Sequence, residues 1–248
     1  MHPLTIAAET TVRGGHPNAT IATNTADTLL NLGTIDALVG DQLKINATLD
    51  QQGLIFADKG SIQLLGNTHN TGQITAINDG SVRFDRGQQA GNVDVQNGGF
   101  FSFFGGTNTV DGVVSATNGG VVQIASNLQN DGAIQINNGF LWLNGGAITG
   151  NDAVVTDSTV VFSDDQTTGS LSNVPRTNSG SGLYLGTLDN TGQTLTLTAD
   201  RNTQWTLFGG SIVLGGTINS PDSTPLRLGT FGTSSTLAIL DAVSVNTP

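Results

Sequence analysis

Short segments in which apolar and polar residues alternate run through most of this chain, and most of them begin with glycine. Alternation of this kind predicts β-strands, because successive side chains of a strand point to opposite faces. A first series of segments occupies residues 33–37, 53–57, 72–76, 91–95, 112–116, 132–136 and 152–156. A second series lies between them, at residues 41–45, 60–64, 80–84, 99–103, 120–124, 139–143 and 158–162.

The third and fifth residues of every segment are predicted to face a core. They are apolar throughout, apart from Thr156 in the seventh copy of the first series, where Val154 is the other predicted inward residue. The second and fourth residues are mostly polar or charged, as at Asp36, Lys44 and Arg83. A shift of one residue would turn the apolar set outward, so the pattern fixes the register of each strand.

The two series repeat together every 19–21 residues, which predicts a solenoid. A helical repeat is excluded by the period of two, and the frame of a leucine-rich repeat is absent. Paired sheets or an up-and-down barrel would not need a near-constant repeat length. The predicted fold is therefore all-β, a single parallel β-helix in which each coil stacks about 4.8 Å above the last.

A third inward position lies four residues before each glycine of the first series, and it predicts a short, irregular third side. The glycines fit corners that need positive φ or tight packing. Asparagine tolerates the left-handed region and fits the same corners. The asparagines concerned are Asn67, Asn70, Asn97, Asn118, Asn130 and Asn137.

The regularity of the repeat divides the chain into three stretches. Residues 1–28 are predicted to form an N-terminal cap or a degenerate coil, and residues 29–163 the regular solenoid. Residues 164–248 are predicted to continue the same solenoid less regularly, with a loop at 164–185, where Ser, Gly and Pro break the pattern.

Composition narrows the function classes. The formal net charge is −11 with only eight Lys and Arg, which argues against nucleic-acid binding, because phosphate contacts need clustered bases. The absence of cysteine excludes disulfides and thiolate metal sites. No apolar run reaches membrane-spanning length, so we expect no membrane insertion.

One candidate binding surface stands out on the predicted outer face of the second series. Phe100, Val121 and Phe140 occupy the same position in consecutive coils, and Trp142 lies beside Phe140. A contiguous exposed apolar row marks a binding or packing surface. Aromatic rows also stack on sugar rings. The alternative is that a loop or the N-terminal segment covers the row.

Other chemistry receives weaker support from the sequence. Asp157, Asp164 and Asp165 lie close together, with Asp152 one strand away, and calcium would need several such oxygen ligands. The nonapeptide of calcium-binding β-rolls is absent, so solvated loop carboxylates are favoured. The histidines are too scattered for a metal triad. Threonines do not form the regular ladder of an ice-binding face. We therefore expect no catalytic residues, no metal and no cofactor.

Units such as residues 70–76 followed by residues 80–84 resemble the repeats of bacterial autotransporter passengers and filamentous-haemagglutinin-type adhesins. The resemblance covers about residues 29–215. It implies a secreted or cell-surface protein with a structural or adhesive role, and a glycan or another cell-surface molecule as ligand. Self-association, laterally or end to end, is a further expectation. The alternative function is a carbohydrate-binding or polysaccharide-cleaving β-helix.

Overall fold

The computed structural model shows a β-solenoid of parallel, stacked coils and confirms the predicted fold class. It describes residues 3–15, 18–22, 28–145, 148–168, 176–177, 181–197, 204–207, 210–220, 226–228 and 238–246. Every strand pairing within these ranges is parallel, and each coil contributes one strand to each of three sides. The described residues include no helix that could span a membrane.

The three sides follow one another along each coil. First-side strands are Thr11–Arg13, Thr34–Ala37, Leu54–Asp58, Gln73–Ile77, Asn92–Gln96, Val113–Thr117, Ala133–Asn137, Val154–Thr156 and Arg176–Thr177, then Thr194–Thr196, Thr217–Asn219 and Ser244–Asn246 in a separate sheet. Second-side strands are Ala19–Ala22, Gln42–Asn46, Ser61–Asn70, Ser81–Gln89, Phe100–Phe103, Val121–Ile124, Phe140–Asn144, Thr159–Ser163, Ser181–Leu185, Gln204–Leu207 and Leu226–Leu228.

Third-side strands are shorter, as expected. They are Leu4–Ile6, Thr28–Asn31, Thr48–Gln51, the distal parts of Ser61–Asn70 and Ser81–Gln89, Asn108–Val110, Leu128–Asn130 and Ile148–Gly150, then Gln166–Thr167, Thr187–Asp189, Ile212–Leu214 and Ile239–Asp241 in a separate sheet. A register shift between Phe84 and Arg86, which is a local bulge, separates the second-side part of the strand Ser81–Gln89 from its third-side part.

Coil length is nearly constant in the middle of the chain and rises toward the C-terminus. On the second side, Ser61, Ser81, Phe100 and Val121 are successive register partners, so these coils contain 19–21 residues. On the third side, Ile212 pairs with Ile239, an offset of 27 residues. Insertions in the later coils weaken the sequence repeat without changing the stacking direction.

The core is formed by the predicted inward residues of both series, which are buried in every copy except the seventh of the first series. Inward positions on the third side are small in two consecutive coils, at Gly87 and Asn108. The same coils carry the large inward rings Phe84, Phe101 and Phe103, whose centroids lie 5.0–6.2 Å apart. Large residues on one side thus compensate for small ones on another, which keeps the interior close-packed.

The predicted register of the seventh first-series copy is wrong by one residue. Val154 is 56% exposed, whereas Ala153 and Val155 are buried. Val154 pairs with Gln135, so Asn151 occupies the place that glycine holds in the earlier copies. With this shift, the inward positions of the copy are apolar like the others, and Thr156 is no longer an exception.

A column of buried amides runs inside the third side. Asn31, Gln51, Asn70, Gln89 and Asn130 share one inward position and are fully buried, and Val110 interrupts the column. The Asn31 Nδ2 donates to Gln51 Oε1 at 2.6 Å, and the Asn70 Nδ2 donates to Gln89 Oε1 at 2.6 Å. These bonds satisfy polar groups that would otherwise be costly to bury.

Two of the asparagines predicted at corners, Asn70 and Asn130, therefore belong to the core. Asn97 and Asn118 do lie at left-handed corners, with φ of 51° and 50°. In the next coil the left-handed corner residue is Asn138, with φ of 53°, and not the predicted Asn137. This corner lets the chain turn from the first side to the second.

The glycines that open the first-series segments have a packing role. A Cβ built on Gly53, Gly72, Gly91, Gly112 or Gly132 would lie only 2.0–2.3 Å from the carbonyl oxygen of the glycine one coil earlier. The same oxygens accept backbone hydrogen bonds of 2.8–3.0 Å from the residue after the next glycine. We call these residues, with Gly33, the glycine column.

Candidate functional site

The structure places the predicted row on the outer face of the second side. Phe100 pairs with Val121 and Val121 with Phe140, so the three side chains are stacked in register. Phe140 is 41% exposed, and Phe100 and Val121 are half-buried. Register sets their spacing at about 4.8 Å per coil. The row therefore forms a narrow apolar stripe parallel to the solenoid axis.

Trp142 lies two residues beyond Phe140 on the same strand and pairs with Gln123 and Val161. Its indole Nε1 donates a hydrogen bond of 2.8 Å to Ser163 Oγ, one coil later. Ser163 is held in turn by its hydrogen bond of 2.8 Å to Asn144 Oδ1. These bonds fix the orientation of the indole ring while the side chain remains half-buried.

Phe104 extends this surface and was not predicted. It follows the inward Phe103 and is 44% exposed. The guanidinium carbon of Arg83 lies 3.6 Å from the centroid of its ring, a cation–π contact. The Arg83 Nε also donates to Asp85 Oδ1 at 2.5 Å. The sequence signal was available, since Phe104 continues the alternation of Phe100 and Ser102 one residue beyond the strand Phe100–Phe103.

We define the aromatic patch as Phe100, Phe104, Val121, Phe140, Trp142 and Arg83. Ser102 and Gln123, which are register partners on the outer face beside the patch, are buried. From Arg83 to Trp142 the patch spans three coil steps, about 14 Å, and along a strand it spans four residues, about 13 Å. Its footprint is therefore roughly 180 Å².

The carboxylates singled out in the sequence do not converge. The described residues contain no group of three or more His, Cys, Asp or Glu side chains that could hold a metal ion. Asp157 occupies a left-handed corner with φ of 48°. Of the histidines, His2 and His16 lie outside the described residues, and His69 is 3.7 Å from Asp50.

One ion pair lies on the outer face of the first side. Arg13 makes bidentate contact with Asp36, with Nη2–Oδ2 at 2.7 Å and Nε–Oδ1 at 3.1 Å. The hydrogen bond and charge of Asp36 raise the pKa of Arg13 above its usual value. In the C-terminal part, hydrogen bonds from Thr191 lower the pKa of Asp189.

No protein-family model, curated protein or solved structure matches this chain. Its assignment as a β-solenoid rests on its own geometry, and no autotransporter or adhesin identity is supported.

Proposed function

We propose that this chain is a non-enzymatic structural segment of a secreted or cell-surface protein, a stiff rod that presents a binding surface. The observation that carries the proposal is the continuous hydrogen-bonded stack of second-side strands. Eleven parallel strands follow one another there within the described ranges, from Ala19–Ala22 to Leu226–Leu228. Ten steps of about 4.8 Å give a stack roughly 48 Å long.

Stiffness follows from the direction of the bonds. Backbone hydrogen bonds run along the solenoid axis on all three sides, so bending the rod would lengthen several of them at once. The buried amides add side-chain bonds in the same direction, and the core of one coil packs on the core of the next. A load along the axis is thus shared between the sides of each coil.

Self-association is part of the proposal. In the outermost described coils, the inward-column residues Leu4 and Val245 are exposed. Another coil stacked on either end, from a second copy or from more of the same chain, would bury them. Analytical ultracentrifugation over a concentration series tests this association between copies. We expect species larger than a monomer to form as the concentration rises, and a protein that stays monomeric at every concentration would contradict the association.

Single-molecule force spectroscopy tests the rod. The chain is pulled from its two ends, and we expect stepwise release of coils. Each coil of about 20 residues should add roughly 65 Å of contour length, its extended length less one stacking step. Featureless extension at low force would refute a load-bearing role.

The cellular setting needs a separate measurement. Protease added to intact source cells should cleave the chain without lysis, because a surface protein is accessible from outside. Protection until the cells are lysed would contradict the proposed location.

A further inference from the structure

We propose that the aromatic patch binds a neutral polysaccharide chain. This inference rests on the proposed function, since it names the ligand class of the surface that the rod presents. It adds Phe104 and Arg83 to the residues predicted from the sequence, and it requires no catalytic group.

The ring geometry suits a sugar chain. Phe104, Phe140 and Trp142 expose aromatic surface, and strand register sets the positions of Phe140 and Trp142. A pyranose ring has an apolar C–H face that packs on an aromatic plane, and its hydroxyls point outward from its rim. The hydrogen bond from Trp142 to Ser163 orders the indole before binding, which reduces the entropy cost of association.

Polar groups for the hydroxyls lie beside the rings. The Arg83 guanidinium is held between the Phe104 ring and the Asp85 carboxylate, which fixes the direction of its N–H donors. Its side chain is still 36% exposed. Guanidinium and carboxylate groups together can donate to and accept from the hydroxyls of a sugar.

Size and charge select this ligand among the alternatives. A stable protein partner usually covers about 800 Å² on each side, more than four times the footprint of roughly 180 Å². A single polysaccharide chain is narrow enough to use the patch alone. The protein carries a net charge of −11, which disfavours anionic polymers and anionic lipid surfaces.

Binding is tested by affinity electrophoresis and calorimetry with hydroxyethyl cellulose, xylan and galactomannan, and with polygalacturonate as the anionic comparison. We expect at least one neutral polymer to bind and polygalacturonate to bind at least tenfold more weakly. Trp142→Ala and Phe104→Ala should each weaken binding at least tenfold, and Trp142→Phe should retain part of it. Phe56→Ala, which removes an outward aromatic ring on the first side, is the matched control and should bind like the parent.

Three outcomes would overturn the inference, provided that circular dichroism shows native strand content. In the first, none of the neutral polymers binds. In the second, Phe56→Ala weakens polymer binding as much as the patch variants do. In the third, the protein self-associates and the patch variants abolish that association, which would make a second copy the occupant of the patch. Failure here leaves the rod intact, because force spectroscopy does not depend on the patch. If the protein unfolded at low force but still bound polysaccharide, the load-bearing role would be refuted and the binding site would stand.

Discussion

Replacing Asn70 with leucine, which has nearly the same shape, tests whether the buried amide column holds the third side together. Asn70 is fully buried, donates to Gln89 Oε1 at 2.6 Å and accepts from the Gly72 N–H at 3.2 Å. The Gly72 N–H keeps its bond to the Gln51 carbonyl at 3.0 Å. The hydrogen bond that is lost without replacement is therefore the one that Gln89 Oε1 accepts.

The size of the expected destabilisation depends on the hydrogen bonds that Gln89 keeps in the variant. Among the described residues its Nε2 already has no hydrogen-bond partner, so the variant would leave both polar atoms of the Gln89 amide unpaired in the core. Leaving one buried acceptor unsatisfied costs about 1–3 kcal/mol. We expect Asn70→Leu to lower the free energy of unfolding by about 2 kcal/mol and Tm by roughly 4–8 °C.

The assay is urea and thermal unfolding followed by circular dichroism, with hydrogen exchange at the strands Ser61–Asn70 and Ser81–Gln89. Gln89→Met alone should also destabilise, because it leaves the Asn70 Nδ2 unpaired. The double variant removes both partners and should be more stable than either single variant. Costs that simply add, within about 0.5 kcal/mol, would refute the idea that the pair acts as a unit.

Two further predictions concern the glycine column and the first coil. Gly91→Ala should lower the free energy of unfolding by about 3 kcal/mol, because the added Cβ would meet backbone atoms that cannot move aside. Gly15→Ala is the control: its added Cβ would have nothing within 4 Å, so the variant should be neutral or slightly stabilising, and urea unfolding midpoints compare the two variants. Arg13→Ala should speed hydrogen exchange in the strand Thr11–Arg13 more than Asp36→Asn does. The reason is that Arg13→Ala leaves the Asp36 carboxylate, which is only 7% exposed, without its partner, whereas the Arg13 side chain is 59% exposed and can be solvated; equal effects would contradict this.

The two main sides could be predicted because their inward positions repeat with few exceptions. The third side was harder, since its inward column contains Thr68, Gly87 and Asn108 among aliphatic residues. The inward position of the amide column is missed for a related reason: the sequence pattern places Asn70 and Asn130 at corners and not inside the third side. A signal was nevertheless present, because Asn or Gln stands two residues before most glycines of the glycine column, as at Asn31 and Gln51.

The error in the seventh copy has a local cause. Asn151 stands where the earlier copies have the first glycine of the segment, and Gly150 beside it has the left-handed φ of 87°. Without the glycine, the alternation could be read in either of two registers, and only pairing with the previous coil distinguishes them. The aromatic patch was incomplete because Phe104 lies just beyond the end of its segment, where the sequence pattern no longer assigned a face.

The near-constant register offset has a consequence for how quickly the chain can fold. Most contacts between strands join residues about 20 positions apart in a chain of 248, so the relative contact order is about 0.08. That value is typical of helical bundles, whereas β-sandwiches and barrels are about twice as high. Once two coils have formed, each later coil needs only the one before it as a template. Folding can then propagate as growth from a nucleus, and a longer chain would meet no larger entropic barrier at each step.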